Sequence, residues 1–304
     1  MGRDDAPIRT VLDAIGGTPL MRIDDVWVKL EHLNPSGSIK ARIALHMVER
    51  AEEAGLLRPG DTIVEASSGN TGNALSMVAA VKGYRMVVVM PEGLTTEREA
   101  ISRAFGAEVE LVGDFHVGAA RERALELGAK PGHFCPSQFD SAWNVEENRT
   151  WLGPEILRQL PDGVVPDAFL MGVGTGGTLI GVGQALREVN PDVLLVALEP
   201  GESCTLMCGE ICGHLIEGIA DGFIPGIIER ERAMIDEIVD VSGEESIAEM
   251  RRLAREHGLL VGPSSGAHLV AARRLRAQRP ELEHVVTVLC DEGEKYLSEH
   301  FAVR

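Results

Sequence analysis

The sequence predicts an α/β fold with two domains, each a mostly parallel, twisted sheet flanked by helices. Three observations predict it. Apolar runs of strand length alternate with helix-length segments through most of the 304 residues, the pattern of βαβ units. Glycine-rich turns follow several of those runs and open helices, and open parallel sheets bind ligands outside the carboxyl ends of their strands. The length suits one large domain or two smaller ones, and two sheets of about four to six strands fit it better than one very large sheet.

Taken in order, "VWVKLE" (26–31) reads as a strand and "SIKARIALHMVERAEEAG" (38–55) as a helix, with Ser38 a candidate N-cap and Gly55 a C-terminal stop. "DTIVEA" (61–66) is a strand that leads through a Gly-Asn turn into the helix "ALSMVAAVKG". "RMVVVMPE" (85–92) is a continuous apolar strand, the type buried on both faces of a parallel sheet. A helix near 95–105, a strand at 108–112, a helix near 116–128 and a short strand near 133–136 follow. The alternation resumes with a strand at 167–174, a helix at 177–189 and a strand at 193–200. Helices at 244–257 and about 265–277 precede a last strand, "VVTVLCD" (285–291). There is no internal repeat and no low-complexity linker.

Composition narrows the function. Hydrophobic residues make up 44% and charged residues 25%, as in a soluble globular protein, while aromatics at 4% leave a mostly aliphatic core. The 29 basic residues are outnumbered by 47 acidic ones, a net charge of −18. That balance argues against nucleic acid or an anionic membrane surface as a partner, since both reward basic patches. No apolar run approaches the ~20 residues of a membrane span. The charged start "MGRDDAPIRT" lacks the apolar core of a signal peptide, so a cytoplasmic protein is expected. Five cysteines in this length do not suggest a disulfide scaffold, and the nine histidines form no metal-binding motif.

Four short stretches carry chemistry. Only five lysines are present: Lys29, Lys40, Lys82, Lys130 and Lys295. Lys40 alone follows a run of small, turn-forming residues, Asn34-Pro35-Ser36-Gly37-Ser38; Lys29 alternates within a strand, and the other three read as surface residues. In "GVGTGGTLIGVG" (172–183), Gly174, Gly176 and Gly177 permit close backbone approach, and Thr175 and Thr178 add hydroxyls. Backbone N–H groups at such a helix start suit a phosphate, although tight strand–helix packing also explains glycine there. In "EASSGNTGNAL" (65–75), Ser67, Ser68, Asn70 and Thr71 crowd one turn. They suit a carboxylate, or simply a capped turn. In "LLVGPSSGAHLVAA" (259–272), Ser264 stands at a helix start, where a plain N-cap is the alternative. An amine, a phosphate cradle, a carboxylate cradle and a hydroxyl together are what pyridoxal phosphate chemistry requires.

With these motifs the chain resembles the cysteine synthase (O-acetylserine sulfhydrylase) and cystathionine β-synthase family of fold-type II pyridoxal-phosphate enzymes. The likeness runs from "IGGTPL" (15–20) through "NPSGSIKAR", "SSGNTGNAL", "MPEGLTTER", "AFGAEV", "GPEI", "GVGTGGT", "EGIADGFIP" (217–225) and "PSSGA" to "DEGEKYLS" (291–298). It implies a tryptophan synthase β-subunit-like architecture. A smaller, mobile domain would span 37–143, a larger one 1–36 plus 144–304, with the cofactor in the cleft between them. Lys40 would be the Schiff-base lysine and Asn70 would meet the ring hydroxyl. Gly174, Thr175, Gly176, Gly177 and Thr178 would bind the phosphate, and Ser264 the ring nitrogen. Ser67, Ser68, Thr71 and Gln138 would hold the substrate carboxylate, and the loop at Gly218 would line its amino side. The implied reaction is β-replacement on serine or an O-activated serine, most simply cysteine formation from O-acetylserine or O-phosphoserine and sulfide through an aminoacrylate. Cystathionine synthesis, cysteine desulfhydration, another β-substituted alanine, or a weakly active binding role are the alternatives. A homodimer is implied, without a C-terminal regulatory domain pair or a haem-binding N-terminal extension.

Several positions depart from the family's pattern. Ala41 stands where the sulfhydrylases usually carry aspartate, Ser67 for threonine, Asn73 for an aliphatic residue and Gly17 for asparagine. Asn148 and Trp151 replace the usual His and Thr, and "EGIAD" replaces a Gly-Ile-Gly version. "SCTLMCGEICG" is the most unusual, with three residues between Cys204 and Cys208 and three between Cys208 and Cys212, where the family usually has proline and glycines. On a helix the three would share a face and could ligate zinc or an iron–sulfur cluster, but the spacing is common to neither, and inert cysteines are the simpler expectation.

Overall fold

The computed structural model describes residues 7–93, 96–113 and 117–301. Its elements, in chain order, are β1 (Leu20–Ile23), β2 (Val26–Leu30), α1 (Lys40–Glu53), β3 (Thr62–Ala66), α2 (Asn70–Lys82), β4 (Arg85–Pro91), α3 (Thr96–Ala104) and β5 (Glu108–Val112). There follow α4 (Val117–Gly128), β6 (His133–Phe134), α5 (Ala142–Glu147), α6 (Gly153–Gln159), β7 (Ala168–Gly172), α7 (Gly177–Arg187) and β8 (Leu194–Pro200). The last are α8 (Gly226–Glu231), β9 (Glu237–Val241), α9 (Gly243–His257), α10 (Pro263–Gln278) and β10 (Val285–Leu289). Two compact units result, Met1–Thr18 with Leu33–Gln138, and Pro19–His32 with Phe139–Arg304.

In the first unit four parallel strands lie in the order β5-β4-β3-β6. The chain steps outward from β3 to β4 and β5, then returns through α4 to place β6 on the other side of β3. That reversal makes a switch point beside the carboxyl end of β3, where such sheets take ligands. All five residues of β3 are buried, as a strand covered on both faces demands. Ser38 does contribute to the start of α1: its Oγ accepts the Lys40 N–H at 3.3 Å, although Ile39 is the formal cap. Gly55, at φ +70°, takes the left-handed conformation just past the end of that helix. Residues Leu94 and Thr95 of "MPEGLTTER", and the expected first residue of the helix near 116, lie outside the described residues.

In the second unit six strands run β1-β2-β10-β7-β8-β9, parallel except for the β1–β2 hairpin. Here the switch point falls between β7 and β10, again beside a glycine-rich turn. The core packs the apolar face of α9 and α10 on the sheet through Val28, Leu170, Val196, Leu253, Leu269 and Leu289. Two of these strands are not evident in the sequence. β1 is four residues long and mostly half-exposed, and β9 (Glu-Ile-Val-Asp-Val) mixes acids into a mostly half-exposed edge. Short edge strands carry weak periodicity. The cysteine-bearing stretch is not helical but a series of turns, so the shared helical face does not form.

Candidate active site

In the first unit, the turn after β3 is built by side chains that bond to backbone. Ser67 Oγ accepts the N–H groups of Gly69 and Gly72, each at 3.0 Å. Gly69 has φ 153°, and a Cβ there would lie 2.9 Å from Arg98 Cδ. Arg98 in turn donates from Nη1 to the Ser68 carbonyl at 3.1 Å. Glycine is therefore required twice over, by backbone conformation and by the side chain that lies across it. Asn70 and Thr71 begin α2, whose first N–H groups face the turn.

Gln138 joins this turn from the end of the unit. Thr71 donates its hydroxyl to Gln138 Oε1 at 2.6 Å, and Gln138 Nε2 donates to the Ala66 carbonyl at 2.7 Å. Its backbone N–H is held by the buried Glu65 carboxylate at 3.0 Å. Thr71, Gln138 and Ser67 are each about 97% buried, so these are low-dielectric contacts. By contrast the Ser68 hydroxyl and the Lys40 ammonium have no hydrogen-bond partner among the described residues, and both side chains are half-buried.

Lys40 stands apart from the other lysines. Lys29 is fully buried and donates to Glu155 at 2.6 Å and Gln159 at 2.7 Å. Lys82 pairs with Glu52 at 2.9 Å. Lys295, expected at the surface, is instead 98% buried and 3.6 Å from Glu292, because its 3-10 turn folds inward. Lys130 is exposed.

In the second unit, Val173 and Gly174 carry the chain out of β7 into the start of α7. Thr175 Oγ1 accepts the Gly177 N–H at 3.2 Å and the Asn144 amide at 2.9 Å. Asn144 is itself held through its carbonyl by Asn148 Nδ2 at 2.8 Å. Gly176 is left-handed at φ +84°, and a Cβ on it would meet Ile228; a Cβ on Gly177 would meet the Asn144 amide. A Cβ on Gly174 would lie 2.5 Å from the carbonyl of Gly218, which is itself left-handed at φ +87°. The turn thus brings Gly174 and Gly218 together and leaves the Thr178 hydroxyl without a partner among the described residues. First-turn N–H groups and a hydroxyl at a helix start form an anion site.

Ser264 and Ser265 open α10, and the structure separates their roles. Ser265 Oγ accepts the Cys290 N–H at 2.9 Å, a structural bond. Ser264, 4% exposed, has no partner among the described residues. Beneath them His268 is a strut: Nε2 accepts the Gly172 N–H at 2.8 Å, so Nδ1 carries the proton that it donates to the Val288 carbonyl at 2.7 Å. It locks β7, α10 and β10 at the switch point. Asn144, which shapes the second turn, belongs to no motif and lies more than thirty residues before it, whereas Glu65 opens "EASSGNTGNAL" and Arg98 closes "MPEGLTTER" without the sequence assigning either a part in the first turn. The Cys204 and Cys208 sulfurs are bonded to each other, and Cys212 is a free, exposed thiol.

A family model described as "Pyridoxal-phosphate dependent enzyme" matches residues 11–291. The chain is 44% identical over 301 residues to a cysteine synthase of Staphylococcus aureus, covering 96% of each. Among solved structures, O-ureido-L-serine synthase is 42% identical with a TM-score of 0.90, covering 96% of this chain and 94% of that one. An O-acetylserine-dependent cystathionine β-synthase from Helicobacter pylori is 35% identical with a TM-score of 0.91, covering 98% and 100%.

Proposed function

The chain belongs to the family of pyridoxal-phosphate-dependent enzymes that includes the cysteine synthases, and from that premise we propose that it makes cysteine from O-acetylserine, or O-phosphoserine, and sulfide. It is an enzyme, and pyridoxal 5′-phosphate is its cofactor. The residues present fit that group: the first-turn N–H groups of α7 and the Thr178 hydroxyl suit a phosphate, and Gly174, Gly176 and Gly177 let that turn pack against Gly218, Ile228 and Asn144 where a Cβ would collide. In this reading Gly174–Thr178 hold the phosphate, Asn70 and Ser264 meet the ring, and Lys40 is the covalent anchor. When bound, the cofactor supplies an electron sink that acidifies the substrate's α-carbon and lets a β-substituent leave.

The chain's own groups do the rest. Ser67, Ser68, Thr71 and Gln138 orient the substrate by its carboxylate, with the first N–H groups of α2, and Gly218 borders its amino side. Thr71 and Gln138 bond to each other here, so a bound carboxylate competes with Gln138 for the Thr71 proton. The released Lys40 amine takes the α-proton at Nζ, a step open to the neutral amine and not to an ammonium. Ser264, a neutral hydroxyl rather than a carboxylate, would not need to keep the ring nitrogen protonated, which would temper the electron sink and favour elimination over transamination.

The observation that carries the reading is that the half-buried Lys40 has no partner among the described residues, whereas the half-buried Lys82 and the buried Lys29 and Lys295 lie beside carboxylates. Borohydride reduction of the holoenzyme followed by peptide mapping is expected to label Lys40 and no other lysine; label elsewhere refutes it. A nucleophile screen with sulfide, homocysteine and cysteine, run with O-acetylserine, then separates cysteine synthesis from cystathionine synthesis and desulfhydration. The reading also takes the enzyme as a cytoplasmic homodimer, on family likeness, and sedimentation tests the assembly. No helix among the described residues is long and apolar enough to cross a membrane.

A further inference from the structure

We propose that Cys204 and Cys208 form a thiol–disulfide exchange site for small thiols and their disulfides, and that its state sets the order of the segment running to Gly218. The two sulfurs are joined and the Cα atoms lie 5.5 Å apart, a span that a disulfide bridges without backbone movement. Cys208 is exposed and Cys204 half-buried, so an incoming thiolate has access to the Cys208 sulfur. The other cysteines are differently placed: Cys290 is buried, Cys135 is half-buried far along the chain, and Cys212 is exposed but unpaired.

The chemistry is closed without a further reagent. A small thiolate attacks Cys208, the Cys204–Cys208 bond breaks, and Cys204 leaves as a thiolate, which takes a proton from water. A second thiolate attacks the mixed disulfide, releasing Cys208 and the small-molecule disulfide. Two thiols are oxidised and the protein disulfide is reduced by two electrons; the small disulfide drives the reverse.

The bonded pair sits in a segment whose order is transmitted by hydrogen bonds. The Glu199 carboxylate accepts the N–H groups of Leu206 and Met207 at 2.7 and 2.9 Å, between the two cysteines. Ser203 Oγ accepts the Cys212 N–H at 3.2 Å, and Thr205 donates to the Glu210 carbonyl at 3.3 Å. His214 Nδ1 accepts the Ile216 N–H at 3.3 Å, so Nε2 donates to the Ala220 carbonyl at 3.1 Å. Ala220 then donates to Val173 at 2.9 Å, one residue before Gly174. Opening the covalent tie leaves these part-buried bonds, and the backbone bonds from the Cys208 and Gly209 N–H groups to the Cys204 carbonyl at 2.9 and 3.1 Å, to hold the segment, which favours local opening.

The holoenzyme is equilibrated in graded cysteine/cystine buffers, quenched in acid, unfolded, alkylated and mapped by mass. One two-electron step confined to Cys204 and Cys208 is expected, with Cys135, Cys212 and Cys290 alkylated throughout. Amide exchange across residues 210–220 is expected to rise roughly fivefold or more on reduction. The Cys204→Ser/Cys208→Ser variant is expected to show the reduced-state exchange in every buffer, and Cys212→Ser to keep the step. The proposal is overturned if the pair stays reduced throughout, if Cys208 pairs with Cys212, or if amide exchange is the same in both states. It is equally overturned if stoichiometric zinc binds reduced Cys204, Cys208 and Glu210, whose ligand atoms lie within 4.8 Å of one another, and blocks oxidation by cystine.

Discussion

Thr71 and Asn144 show how single side chains set the two cradles. A charge-assisted hydrogen bond contributes roughly 1.5–3 kcal/mol, and ~1.4 kcal/mol is tenfold in binding. If Thr71 serves the substrate carboxylate as proposed, Thr71→Ala is expected to weaken amino-acid binding roughly tenfold or more. The resting cofactor absorbance should then stay put, because the proposed contact of Thr71 is with substrate and not with the ring. A titration with O-acetylserine and with its decarboxylated amine checks it; equal affinity of wild-type protein for the two would remove the clamp. Asn144→Ala acts differently: it deletes the 2.9 Å donor to Thr175 and opens space over Gly177. Cofactor affinity is expected to fall roughly tenfold, measured by equilibrium dialysis, while far-ultraviolet circular dichroism is unchanged. The glycines and short hydroxyl residues of both turns were legible in the sequence because a chain that bends from strand to helix needs those types in that order. Asn144 was not, because it acts on a turn distant in sequence and nothing in its immediate neighbours marks it; Arg98 and Glu65 fall within recognisable motifs, but their partners Ser68 and Gln138 lie 30 and 73 residues away and are set by the fold.

Among the elements, the turn joining β1 to β2 holds a conformation that its residues resist. Asp24 and Asp25 have φ of 48° and 64°, both left-handed, the pattern of a type I′ hairpin in which Gly is preferred. Helices α9 and α10 hold it there. Asp24 accepts from Arg252 and, at 2.8 Å, from Arg273, while the Asp25 carbonyl accepts from Arg276 at 2.7 Å. The Asp25 side chain is 70% exposed and its ion pair with Arg22 at 3.2 Å adds little. Asp25→Gly keeps the carbonyl bond and relieves the strain, so it is expected to stabilise the fold by about 0.5–1 kcal/mol, read from urea denaturation. This hairpin was invisible in the sequence, since "RIDDV" carries no Asn-Gly or Asp-Gly signal. The same limit hid the inward fold of Lys295: its charge and its neighbours read as surface, and only the packed structure shows the burial.

At the scale of the whole molecule, the chain carries a surplus of acid, −18 overall, and arginine-centred networks in the second unit pair part of it. Asp24, Glu249, Arg252 and Arg273 form one such network, with Glu249 accepting from Arg252 at 2.7 Å and from Arg273 at 2.8 Å. Burial pushes the Asp24 carboxyl up, but the Arg273 hydrogen bond and the charges of Arg252 and Arg273 outweigh it and hold it below its ordinary value. A carboxylate depressed in the folded state contributes stability that is fully present above its unfolded pKa, about 3.9, and is lost as pH falls through the lower folded value. Asp24→Asn is therefore expected to be less stable than the parent at pH 7 and at pH 5. The gap should narrow below about pH 4 and close once both states of the parent are protonated. Parallel urea titrations across that range test it. A gap that stayed constant into acid would assign the effect of Asp24 to packing rather than charge, and a gap that widened would reverse the sign of its coupling to the two arginines.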